Sequence, residues 1–244
     1  MKKAYVCKIS FSLLVLCCVC FFCACGLDVI KDIYADPVSD SNVPNNDSDF
    51  LHRSFEFSVQ KLSNANNLGH TYVYYKIYNR NSTLTNEYNT LVGLLSDDTK
   101  KATSSTRMID YGYKELKVKA DGIASNDMES VTLSNGSHTV LIRLTKDAEG
   151  FDSRVDIDGA YAGVPCRTNG NSFNFFGIGD GNSATADFYK EPVSGDDDAK
   201  SLSSSPDAAK TYYVCLFSVF MNYDESYNPV YSPIHYLGQI KITD

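Results

Sequence analysis

Thr211–Tyr223, TYYVCLFSVFMNY, is the stretch that decides the fold. It is thirteen residues rich in aromatic and β-branched side chains, without glycine, proline or a charge. Such composition suits a pleated strand. Tyr213, Cys215, Phe217, Val219 and Met221 fall on one face at a period of two. Tyr212, Val214, Leu216 and Phe220 fall on the other. Apolar residues on both faces mark this strand as central to its sheet.

Working back toward the N-terminus, similar signals recur. Phe55, Phe57 and Val59 alternate with Glu56, Ser58 and Gln60. Thr71 to Tyr78, TYVYYKIY, is aromatic on both faces. Val140, Ile142 and Leu144 alternate after the turn signal Asn135-Gly136. Residues 154–157 and 160–166 read as a hairpin across Asp158-Gly159, and Phe173 to Phe176 as a short aromatic strand. Arg107 to Lys119 reads as a bent strand or a hairpin broken near Gly112. Leu84, Tyr88, Leu91 and Leu95 keep helical spacing, with Thr85 as N-cap. After the central strand, Ile234 to Ile242 closes the domain. The pattern predicts an all-β fold, an antiparallel β-sandwich of about seven or eight strands with one short inserted helix. A closed barrel is the alternative.

At the far N-terminus, Ile9 to Cys25 reads ISFSLLVLCCVCFFCAC behind Lys2, Lys3 and Lys8. Positive residues, an uncharged apolar run and a small residue before the end form an export leader. At about 16 residues, Ile9 to Ala24 is shorter than a membrane span needs. Phe22-Cys23-Ala24-Cys25 resembles the bacterial lipobox, in which the final cysteine is acylated and becomes the new N-terminus; Gly26 after it is small, as processing prefers. Phe22 and Cys23 depart from the common Leu and Ala/Ser, and that relaxed form looks like the lipoboxes of spirochaetes. The expected organisation is a signal peptide at 1–24, a lipidated Cys25 with a polar tether over 25–54, and one sandwich domain over 55–244. An uncleaved anchor and plain secretion are the competing assignments.

The whole chain carries a net charge of -8. Three of its 22 basic residues lie in the leader, so the remainder sets 19 basic against 30 acidic residues. That balance argues against nucleic acid as a partner. Six of the eight cysteines (7, 17, 18, 20, 23 and 25) belong to the leader and its end, so they are not a metal cluster. Cys166 and Cys215 remain, and in an exported protein they are candidates for one disulfide; two buried free thiols are the other assignment.

No catalytic motif and no cofactor site is legible. Asp156-Ile157-Asp158-Gly159 lacks the further oxygen ligands and distal Glu of a calcium loop and reads as a turn. Gly177 to Asn182 opens no helix and reads as a flexible loop rather than a phosphate cradle. His52, His70, His138 and His235 show no metal-ligand spacing. A triad assembled from distant positions stays open, though no nucleophile-elbow sequence appears. Asp196-Asp197-Asp198 reads as a solvated charge run. Tyr72, Tyr74 and Tyr78 share a strand face and are either core or a stacking platform for a glycan or a protein.

Two resemblances add to these readings. Tyr213-Val214-Cys215 resembles strand F of immunoglobulin-like domains, and the strand is similar to its fibronectin type III counterpart. The chain has no Trp to pack on a bridge, so the resemblance implies only the sandwich. Cys25-Gly26-Leu27-Asp28, Tyr72 to Tyr78 and Tyr231-Ser232-Pro233 leading to Leu237-Gly238 resemble Tyr-rich lipoproteins of treponeme-type spirochaetes. That resemblance implies attachment to the cell envelope, on its periplasmic face or outer surface. The expected function is a lipid-anchored, non-catalytic binding module for a protein or glycan. An exported glycan hydrolase using paired carboxylates and a structural envelope lipoprotein are the alternatives.

Overall fold

Thr211–Tyr223 forms the longest strand of the computed structural model, which describes residues 38–42, 54–62, 68–120, 126–145, 153–176, 188–224 and 226–244. The leader, Cys25, His52 and the glycine-rich stretch 177–182 lie outside the described residues. In chain order the strands are β1 (Val38–Asn42), β2 (Phe55–Val59), β3 (His70–Tyr78), β4 (Lys114–Glu115), β5 (Lys117–Lys119), β6 (Glu129–Ser130), β7 (Thr132–Ser134), β8 (His138–Arg143), β9 (Arg154–Ile157), β10 (Ala160–Cys166), β11 (Thr211–Tyr223), β12 (Pro229–Tyr231) and β13 (His235–Thr243). Two helices, α1 (Asn81–Leu95) and α2 (Ser104–Asp110), separate β3 from β4.

All pairings are antiparallel. One sheet runs β1-β2-β8-β9-β10-β5-β6. The other runs β12-β11-β3-β4, with β13 also on β11 and β7 also on β3. β11 therefore has strands along both edges, and its two apolar faces meet the intersheet core on one side and the helices on the other. Its Val214 and Leu216, with Val73, Tyr75 and Ile77 of β3, point into the core shared with Phe55, Val140 and Val155 of the other sheet. This is the antiparallel sandwich expected from the sequence. The strand count exceeds seven or eight because short segments of two or three residues join the sheet edges, too short to show a period. At Leu116 and Val131 the chain steps from one sheet to the other: Leu116 N–H donates to the Val73 carbonyl at 2.8 Å and Val131 N–H to the Leu116 carbonyl at 2.9 Å.

Two further differences have local causes. β1 lies within the stretch expected to be tether. It pairs with β2 through the backbone, which needs no apolar side chains. The expected strand at Arg107 is helix α2, and strand begins only at Lys114, after the left-handed turn at Gly112 (φ 87°). Met108 of α2 and Leu84 and Leu91 of α1 pack on the outer face of the β11 sheet, so the helices form a third layer. α1 begins at Asn81 rather than near Thr85. Its Asn81 N–H donates to Asp207 Oδ2 at 2.7 Å, so a carboxylate from a distant loop caps the positive end of the helix.

Candidate functional site

The tyrosine face lies under this helical layer. Tyr78 is fully buried and Tyr74 nearly so, while Tyr72 is partly buried at the margin. Tyr78 donates to Glu87 of α1 at 2.7 Å, and its oxygen lies 3.0 Å from the Tyr113 hydroxyl. Lys76, on the same face and 1 % exposed, donates to the same Glu87 oxygen at 2.7 Å and to the Tyr111 carbonyl. Its ammonium sits 5.0 Å from the Tyr78 ring centroid. Burial lowers the Lys76 pKa, and Glu87 opposes that shift. This face is a paired polar core between sheet and helices rather than an open platform.

Cys166 and Cys215 are both buried free thiols, so the expected bridge does not form. Cys215 faces the helical layer beside Tyr78 and Phe217, whereas Cys166 ends β10 in the other sheet. The alternation of β11 turns Cys215 away from the intersheet core. Burial pushes the thiols up, Cys166 to about 11 and Cys215 to about 12.

The solvated reading of the acidic run at 196–198 holds for the exposed Asp197 and is corrected for its two neighbours. Asp198 is fully buried against Arg167, itself fully buried. Arg167 Nε donates to Asp198 Oδ2 at 2.9 Å and Nη2 to Asp198 Oδ1 at 2.7 Å; Nη2 also meets Asp196 Oδ2 at 2.5 Å. Tyr75 donates to Asp198 Oδ2 at 2.5 Å and accepts from Thr168 N–H at 2.9 Å. Burial and Asp198 together hold the Tyr75 hydroxyl protonated well above its usual range. The backbone joins in, with Ile77 N–H donating to the Asp198 carbonyl at 2.9 Å. These bonds fasten the acidic segment onto β3. A bidentate arginine–carboxylate pair is the form in which charge survives burial.

Lys76, Arg167 and Asp198 are thus committed to packing. The exposed polar groups differ. A groove of about 420 Å³ runs between the helices, lined by Thr90, Leu94, Thr103, Thr106, Arg107 and Asp110. At the sandwich end where β7 passes to β8, the Asn135-Gly136 turn carries the chain from one sheet to the other. There Ser134 Oγ lies 3.1 Å from His138 Nε2, and His138 Nδ1 lies 2.8 Å from Asp158 Oδ2.

Each member of this row is held by its own element. Asp158 and Gly159, with φ of 53° and 77°, make the two-residue turn joining β9 to β10, as the Asp-Gly pair implies. Asp158 is fixed twice more: its N–H donates to the Thr139 carbonyl at 2.8 Å and its Oδ1 accepts from Thr139 N–H at 2.9 Å. The His138 bond and that Thr139 bond hold its carboxyl below the usual range. Next to Ser134, Asn135 clamps Leu62, accepting from its N–H at 2.9 Å and donating to its carbonyl at 3.1 Å. Gly136 leaves room for the imidazole, since a Cβ there would come within 3.0 Å of Nε2.

The sequence named His138 and Asp158 separately and did not single out Ser134. The i, i+4 spacing of Ser134 and His138 around Asn-Gly is the one local hint. Asp158 joins them only through the pairing of β8 with β9. His70 stands opposite Ser134 in the β3–β7 register, and His235 begins β13. No protein family, curated protein or solved structure matches the chain, so what it does must be argued from its own geometry.

Proposed function

We propose that the chain is a lipid-anchored lipoprotein of the bacterial envelope, acylated at Cys25, whose sandwich works as a surface-interaction module for a protein or glycan. The leader carries this reading: the apolar run is short, follows three lysines and ends at Phe22-Cys23-Ala24-Cys25-Gly26. Each buried CH2 of an acyl chain contributes about 0.8 kcal/mol, so two or three chains hold a domain at a bilayer where one does not. The open groove between α1 and α2 and the loops at the β7–β8 end offer contact surface, since sandwiches bind through such features. Labelling of cells with radioactive palmitate tests the anchor. Label on the wild type and none on Cys25→Ala, with Cys25→Ala released from the membrane fraction, is the expected result. Equal labelling of both would remove it. Protease digestion of intact cells then assigns the leaflet.

A second reading, an exported hydrolase, is favoured by one observation, the hydrogen-bonded row Ser134–His138–Asp158. Its chemistry is acyl transfer, not the paired-carboxylate glycoside cleavage that the sequence suggested.

A further inference from the structure

We propose that Ser134 is a nucleophile that hydrolyses short O-acyl esters carried on a larger molecule, with His138 as its general base and Asp158 as the residue that positions His138. The inference rests on the hydrolase reading. Nucleophilic serine catalysis needs a base within hydrogen-bond reach of the hydroxyl and a third group orienting the base. The 3.1 Å and 2.8 Å contacts supply both. A carboxylate on Nδ1 favours the tautomer whose proton sits there, leaving the Nε2 lone pair for the serine proton. The carboxyl of Asp158 is held ionised by its own bonds.

In the first step Ser134 Oγ bonds to the carbonyl carbon while its proton passes to His138 Nε2. The tetrahedral intermediate collapses, the ester C–O bond breaks, and the alcohol leaves with that proton. Water then attacks the acyl-serine, His138 takes and returns a proton, and the free acid departs with Ser134 restored. Ester and water become acid and alcohol, and no other reactant is needed.

Exposure sets the substrate class. Ser134 is exposed, and the side chains of His138 and Asp158 are 20 % and 52 % exposed. An open row cannot enclose a long acyl chain, so the acyl group is short and the rest of the molecule supplies the binding. That fits a module displayed on a membrane surface.

The test uses the full mature chain with a fluorophosphonate probe, p-nitrophenyl acetate and p-nitrophenyl decanoate. The expected result is probe on the Ser134 peptide by mass spectrometry and acetate turned over more than ~10-fold faster than decanoate. Ser134→Ala loses both labelling and turnover, and Ser205→Ala, exposed in the stretch between Ser203 and Asp207 that bonds Asn79 just past the other end of β3, keeps them. His138→Ala loses at least ~100-fold in kcat, the usual worth of a general base, and regains part of it with added imidazole. Asp158→Asn lowers kcat with KM unchanged. A purely structural clip would show neither the rescue nor the split. Probe on another residue, or turnover surviving in Ser134→Ala, overturns Ser134 while leaving a hydrolase. No labelling and no turnover in the wild type overturns both. Faster decanoate turnover overturns the substrate class.

Discussion

The Arg167–Asp198 pair with Tyr75 and the Ser134–His138–Asp158 row are built from the same material, an acid, a base and a hydroxyl, and they sit in opposite surroundings. Arg167 and Asp198 are fully buried, with Tyr75 completing the network. Ser134 and Asp158 meet solvent. Burial turns such a network into a fastener, because breaking any bond leaves a desolvated group without a partner. Exposure removes that penalty and leaves reactivity. The depth of a polar cluster, more than its composition, separates structural from chemical use in this chain.

Asp198→Asn should break the comparison from the buried side. It leaves the Arg167 guanidinium short of charge inside the core, which costs roughly 3–5 kcal/mol and lowers the urea midpoint strongly. A loss no larger than that of an exposed pair would show the cluster to be solvated. Alkali is the next largest perturbation. Cys215 sits at about 12 when folded against 9.0 for an unperturbed thiol, so the folded state binds the extra proton between those values. Its contribution is complete below pH 9 and falls as pH rises toward 12, by about 2 kcal/mol at pH 10.5. The buried tyrosines 75, 78 and 113 add to the fall, being raised too. Lys76 opposes it, its folded pKa being lowered. Cys215→Ala should flatten the decline between pH 9 and 11 in urea titrations, and an unchanged slope would remove Cys215 as a cause.

Tyr75→Phe sharpens the comparison with a smaller change. It takes one donor from Asp198 and the acceptor from Thr168 N–H, for a loss of about 1–2 kcal/mol. Ser134→Ala should leave the urea midpoint where it was, since the hydroxyl is exposed, and should abolish reactivity with the fluorophosphonate. A clear drop in stability would instead make the row a structural clip. Smallest of all, dithiothreitol should not move the melting temperature, because Cys166 and Cys215 are unbridged; a shift would restore the disulfide.

Where burial and period coincide, the sequence determined the outcome. The alternation in Thr211–Tyr223 set the two-faced central strand, and the same period puts Val73, Tyr75 and Ile77 on one face of β3, which the fold turns toward the other sheet. Asp158-Gly159 specified its turn because few residue pairs tolerate two positive φ angles. Leu84 and Leu91 marked helix α1. What the sequence left undecided is whatever depends on which distant residue arrives opposite. Asp196 and Asp198 look solvated until Arg167, some thirty residues earlier, is folded against them. Cys166 and Cys215 look like partners until Cys215 proves to face the helices, on the side of its sheet turned away from the one that carries Cys166. Ser134 means nothing until β8 pairs with β9 and brings Asp158 to His138. Local preference and side-chain period act over a few residues and are written in the chain directly. The environment that makes a charge a fastener or a serine a nucleophile is set by contacts far apart in sequence, and only the folded arrangement fixes those.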